Sequence, residues 1–348
     1  MQSRAAAVLA AAALVCAACG SRGPSDGLTA IGAGVRGPAG LAAAVYATGL
    51  EAMSAFAFDG RGRLWVATAA YTGEGRDGVF LVAAPGAAPV EVVSGLRTPL
   101  GLAWVGDRLY VASLGRVDAF GGFDGSRFAE RRTILDGPVA GSENDGLVVT
   151  PEGRLLMGVT APCDHCVPAS PWSATVVSFA PDGSDLRVFA KGIRAPYGLA
   201  LYPGRADLFA SMNQRDDLGG RTPGDWLALV PAGSDWRFPG CYGQGGTACA
   251  GVPAPVGVLD PHAAAGGVAI VTGQLGRAVG TAALVAEWAK GRVMRVALTR
   301  DGGSYRGSAG VLLTGLQDPL PVVLDPAGGL LVGDWGTGTI YRVSAART

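Results

Sequence analysis

PYGLALYPGRADLFAS, residues 196–211, is a Pro/Gly turn, an apolar strand, a polar Gly turn and a second apolar strand. The same phrase stands as SAFAFDGRGRLWVAT from Ser54, PLGLAWVGDRLYVAS from Pro99 and NDGLVVTPEGRLLMGV from Asn144. It returns more loosely as GGVAIVTGQL…AALVAEW from Gly266 and as PLPVVLDPAGGLLVGDW from Pro319. The first strands centre on Phe56, Leu102, Leu147, Leu199, Val268 and Val322, in steps of 46, 45, 52, 69 and 54 residues. One four-stranded propeller blade uses about 40–50 residues, so this period with short paired strands is a blade period. Six units with no helical pattern between them predict an all-β chain folded as one six-bladed β-propeller.

Composition agrees. Among 348 residues there are 56 Gly and 22 Pro, with strands of Val, Leu, Ala and aromatics. Lys plus Arg and Asp plus Glu are equal at 28, without a basic run, which argues against nucleic acid or an anionic membrane surface as the main partner.

Residues 1–19 read as a separate element. MQSRAAAVLAAAALVCAACGS has one Arg and then an apolar run from Ala5 to Ala18, too short to span a bilayer. This is an export signal, and Ala17-Ala18-Cys19-Gly20-Ser21 resembles a bacterial lipobox with Cys16 where Leu is preferred. The expectation is a cell-surface or periplasmic lipoprotein lipidated on Cys19, with plain secretion as the alternative. Residues 20–40 read as a flexible tether and 41–348 as the propeller, with an inserted loop at about 212–257.

Export makes disulfides the default for Cys163, Cys166, Cys241 and Cys249. Pairing within each close couple is the simplest of three connectivities; a four-cysteine zinc site and a redox-active CxxC are the alternatives.

In a propeller the turn leading into each inner strand faces a common mouth. These turns carry Met53 and Ser54, Arg97 and Thr98, Ser142 to Asp145, Arg194 and Ala195, His262, and Gln317 and Asp318. Polar residues on loops held by a stiff scaffold are candidate binding or catalytic groups, against the plain alternative that surface turns are polar. His262 could serve as a base or as a hydrogen-bonded turn residue. The long stretch after blade four holds Asp216, Asp217, Asp225 and Asp235 with Trp226, Trp236 and Phe238. It reads either as a calcium loop or as a cap packed by its own aromatics.

GIRAPYGLALYPGRADLFASMNQRDDLGG, followed by TPGDWLALV, DWRFPGCYG, LDPHAAAGGVAI and LLVGDWGTGTIYRV, resembles the glucose/sorbosone dehydrogenases over about residues 41–344. These are six-bladed propellers that bind pyrroloquinoline quinone (PQQ) and Ca²⁺ and move a hydride from a sugar hydroxyl carbon to the quinone. The resemblance implies a PQQ- and Ca²⁺-dependent aldose or sorbosone-type dehydrogenase acting on a small sugar. It places Arg194, Arg97 and Arg292 near the quinone, and the Gln214 and Arg215 carbonyls with Asp216 and Asp217 near calcium. The family's basic histidine falls at Ser142, which has no useful basicity, leaving Glu143, Asp145 or His262 as candidate catalytic groups. That substitution opens two alternatives: a non-catalytic surface propeller binding glycan or protein, and a calcium-dependent gluconolactonase-like hydrolase using Glu143, Asn144 and Asp318.

Overall fold

The computed structural model describes residues 27–72, 74–139, 143–242 and 249–346. Six four-stranded antiparallel sheets form the six blades, and the six inner strands are those centred on the repeated phrase: Met53–Phe58, Gly101–Val105, Asn144–Val149, Leu199–Leu201, Ala265–Thr272 and Pro319–Leu324. The second strands Leu64–Thr68, Leu155–Val159, Leu208–Met212 and Leu330–Asp334 are buried at every residue. Each lies between two neighbouring sheets, so it is apolar without alternation. Among the described residues, clusters of such side chains fill the spaces between blades and beneath the mouth, the largest built around Val271, Leu284, Leu312 and Val332.

The glycine of the repeated phrase has a steric cause. A Cβ on Gly146 would lie 2.6 Å from the Tyr197 carbonyl oxygen of the next blade, and one on Gly198 would lie 2.3 Å from that of Gly266. Inner strands meet this closely around the axis, leaving a central channel of only about 70 Å³. Chemistry therefore belongs to the mouth.

The ring closes on a strand that carries no repeat signature. Leu41–Thr48 pairs antiparallel with Thr339–Ala345 as the outer strand of the sixth blade, Leu41 opposite Ala345 and Thr48 opposite Thr339. The N- and C-terminal parts of the propeller thus share one sheet.

Two sequence expectations need correction. The proposed tether over 20–40 is no tether from residue 28 onward: Leu28–Gly32 and Val35–Pro38 form a hairpin whose Arg36 exchanges backbone hydrogen bonds with Thr314 (2.9 and 3.0 Å). Val35, 1% exposed, packs into the core cluster with Leu312 and Leu313, and this burial fixes the segment. The insertion at 212–257 is partly blade, because Trp226–Leu229 within it is the third strand of blade four. Its aromatics behave as a cap: Trp226 stacks on Trp236 with ring centroids 4.7 Å apart. The leader 1–19, with Cys19, lies outside the described residues. Among the described residues no helix is long and apolar enough to cross a membrane.

Candidate functional site

Buried carboxylates beneath the mouth pin its turns. Asp77 accepts from the Ala70 and Thr98 amides (2.8 and 3.0 Å), and Asp225 from those of Gln214 and Ala265 (2.8 and 3.2 Å). Asp334 accepts from the Gln317 and Asp318 amides (2.8 and 3.0 Å). Paired backbone donors satisfy a carboxylate that burial would otherwise penalise. Burial still pushes Asp225 up to about 6 against its two amide donors. The signal for these pins is an Asp at the edge of an apolar run, before it in RDGVF and GDWLALV and after it in LLVGD; of the three, the sequence reading singled out Asp225 alone.

Backbone strain gathers on the same face. Ala52, Tyr71, Thr98, His262 and Ala264 all hold positive φ between 46° and 59°, which side-chain-bearing residues adopt only where surrounding structure over-determines them. The inner strands of blades one, three, five and six each begin with a register shift, and bulges there re-aim side chains.

These turns enclose a cavity of about 410 Å³. Aromatic rings form much of its wall: Trp288 and Trp335, at 5.9 Å and 80°, with Tyr71 and Tyr197. Trp335 is anchored by its indole N–H on the Ala69 carbonyl (3.1 Å). Glu143, Thr160 and Asn213 supply the polar groups, while Ala195, Ala264 and Leu320 complete the apolar wall.

Glu143 and Asp145 flank the bulge of blade three. Burial raises the Glu143 pKa, opposed by the Arg194 charge. Asp145 is fully buried, hydrogen-bonded by Thr160, and burial followed by the Glu143 charge raises its pKa well above the carboxylate range. Tyr71 is 48% exposed, and its pKa is raised by burial first and then by the Glu143 and Asp145 charges. Burial also raises that of Tyr197. Burial thus raises the pKa of each acidic group in this cluster. Asp145 stands behind this wall and does not line the cavity.

A second cavity of about 300 Å³ adjoins the first, sharing Asn213 and Ala264. Arg194, Asp216, Asp225 and His262 lie along it. Arg194 donates Nε–H and Nη2–H to the Asp164 carbonyl and carboxylate (3.0 and 2.7 Å) and Nη1–H to the Asn213 carbonyl (3.1 Å). The Asp164 carboxylate also accepts the Asp216 and Asp217 amides, each at 2.9 Å. Asp164 sits inside the Cys163–Cys166 disulfide; Cys241–Cys249 is the other, so each close couple pairs within itself.

The other sequence candidates are distributed unevenly. His262 has both ring nitrogens engaged, Nδ1 with Asp216 (2.7 Å) and Nε2 with the Gly219 carbonyl (3.0 Å), and these partners raise its pKa above the ordinary imidazole value. A ring with both nitrogens so engaged is a poor proton acceptor, which favours the turn-residue role over that of base. Arg292 is held by Glu287 (2.6 Å) and Asp260 and lines neither cavity. Arg97 is exposed and also lines neither. Asn144 is buried with its amide nitrogen donating to the Ser113 carbonyl (2.8 Å), and the Asp318 carboxylate accepts from the Gln317 side chain (3.1 Å). Ser142 lies outside the described residues.

No family model matches the sequence, and no curated protein does. Solved structures do. A putative oxidoreductase (glucose dehydrogenase) of Thermus thermophilus aligns at 22% identity and TM-score 0.65, covering 87% of this chain and 100% of that one. The PQQ-bound aldose sugar dehydrogenase of Streptomyces coelicolor aligns at 19% identity and TM-score 0.71, over 88% and 99%. The PQQ domain of Coprinopsis cinerea pyranose dehydrogenase, in its holo form, aligns at 17% and 0.71, over 89% and 97%. The fold is the sugar-dehydrogenase propeller.

The resemblance implied calcium and PQQ, and the side chains present bear on both. Among the described residues no three His, Cys, Asp or Glu side chains converge as a metal site. The carboxylates of the candidate calcium loop are already matched, Asp216 to His262 and Asp217 to both arms of Arg215, whose own charge opposes a cation. The loop's carboxylates are thus taken up, which leaves the Gln214 and Arg215 backbone carbonyls as its candidate calcium ligands. PQQ is a tricarboxylate, yet among the described residues no basic side chain lines the main cavity, and Arg194 and Arg292 are committed to carboxylates. In the smaller cavity Arg194 and His262 are the basic groups, and each is already paired with an aspartate.

Proposed function

We propose that this chain is a sugar-binding propeller on the dehydrogenase scaffold, its mouth cavity taking one neutral hydroxylated ring without metal or quinone. One observation carries this reading: a cavity of about 410 Å³ walled by Trp288, Trp335, Tyr71 and Tyr197, with Glu143, Thr160 and Asn213 as its few polar groups. Aromatic faces match the apolar C–H faces of a sugar ring, and sparse polar groups fix its orientation through the hydroxyls. The Tyr71 hydroxyl can donate and accept, and the Glu143 carboxylate can accept from sugar hydroxyls.

The test is calorimetric titration of hexoses into the wild-type protein and into Trp288→Ala. The reading expects saturable binding weakened about tenfold or more by the loss of the indole. Equal affinity in the variant, with the fold intact, would refute it.

Glu143 favours a second reading, sugar oxidation as in the solved relatives. Among the described residues it is the one carboxylate lining the cavity, and its raised pKa brings it nearer the range of a general base. Dye reduction driven by a sugar, abolished by Glu143→Gln, is its signature.

Export with a lipid on Cys19 is proposed alongside either reading. It is supported by the leader sequence and by two disulfides, which belong to oxidising compartments.

A further inference from the structure

The Cys163–Cys166 disulfide closes a small ring, and Asp164 inside that ring holds two segments of blade four. Its carboxylate accepts from Arg194 Nη2 (2.7 Å) and from the Asp216 and Asp217 amides (2.9 Å each). Its backbone carbonyl accepts from Arg194 Nε (3.0 Å). The next residue, His165, sets its ring 6.5 Å from that of Tyr242, which also lies under the Arg215 guanidinium (4.6 Å). Arg194 and Asp216 in turn line the smaller cavity.

A disulfide stabilises a fold largely by restricting the unfolded chain, and the shortest loops are restricted least. Cys163–Cys166, with a sequence separation of 3, therefore adds less in this way than Cys241–Cys249, with 8. Its effect is local: it fixes the backbone at Asp164 so that carbonyl and carboxylate meet Arg194 together. Opening the ring returns freedom to residues 163–166 and sets that entropy against the same hydrogen bonds. Pro162, His165 and Val167 around the bridge are exposed, so solution reaches the loop that carries it.

We infer that the Cys163–Cys166 bridge is a redox switch on the mouth. A dithiol in solution opens it, Asp164 is released, and the acidic loop and the smaller cavity lose their shape. One thiolate of the dithiol attacks a bridge sulfur to form a mixed disulfide, and its second thiol then displaces the protein's cysteine. Two electrons and two protons pass to Cys163 and Cys166, which become thiols, and the dithiol leaves as its own disulfide. The switch does not depend on what the mouth binds.

The experiment treats the folded protein with dithiothreitol, locates alkylated cysteines by peptide mass spectrometry and follows amide hydrogen exchange. Cys163 and Cys166 should be alkylated while the protein is folded. The Asp216 and Asp217 amides should then exchange about tenfold faster, as the loss of charge-assisted hydrogen bonds would give. The amides of Leu208–Met212 should keep their protection, and reoxidation should restore the slow exchange. Cys163→Ser/Cys166→Ser should exchange fast with or without dithiothreitol. A bridge that stays closed until the protein unfolds overturns the switch, and so does a reduced bridge with the two amides still protected. Loss of the response in Cys241→Ala/Cys249→Ala would assign it to the other disulfide and overturn the switch as well.

Discussion

The Asp164 carboxylate accepts from Arg194 Nη2 at 2.7 Å, joining a disulfide-closed loop of blade three to the turn that leads into blade four. Through the Asp216 and Asp217 amides the same carboxylate orders the acidic loop, which in turn holds His262 on blade five. Three blades meet at one side of the mouth through a single aspartate.

Asp164→Ala should destabilise the protein by about 2 kcal/mol, since it leaves a half-buried guanidinium and two amides without their acceptor. Urea unfolding measures the loss, and hydrogen exchange should quicken first at the Asp216 and Asp217 amides. A change confined to global stability, with those amides still protected, would mean the aspartate does not order the loop.

Asp145 is held in the fold with a pKa well above its ordinary 3.8, by burial first and the Glu143 charge second. Its stability contribution is thus present at low pH and lost as pH rises from about 4 through the folded pKa. Asp145→Asn should flatten that slope and make the protein more stable at pH 7 by roughly 1 kcal/mol. A variant less stable than wild type at pH 7 would show that the carboxylate is needed as an anion.

His262 runs the same way for a different cause. Its pKa is raised from 6.5 by the Gly219 carbonyl and then by Asp216, so its clamp is complete below about pH 6.5 and is lost as pH climbs through the raised value. Unfolding measured from pH 5.5 to 9 should show wild type and His262→Gln converging at the alkaline end. Parallel curves would contradict the clamp.

The repeated phrase made the blades legible because it marks residues under two constraints at once. Gly146 and Gly198 are set by backbones meeting at the axis, and Leu147 and Leu199 by the core beside it. Leu41–Thr48 escaped because an outer strand, five of its eight residues at least partly exposed, needs neither. The third strand of blade four hid inside a long acidic stretch because Trp226–Leu229 is only four residues long. At the site, Glu143 and Arg194 were readable from the turns leading into inner strands. Tyr71, Trp288 and Trp335 were not, since they follow second strands and reach the mouth only once the ring has closed.

A sugar site complete in its own side chains is indifferent to chelation. Hexose binding is titrated by calorimetry into protein dialysed against EDTA, and again with Ca²⁺ and PQQ added. The expected result is the same affinity in both, with no dye reduction on adding sugar. Binding that appears only with Ca²⁺ and PQQ, or sugar-dependent dye reduction in their presence, would contradict it and return the propeller to quinone chemistry.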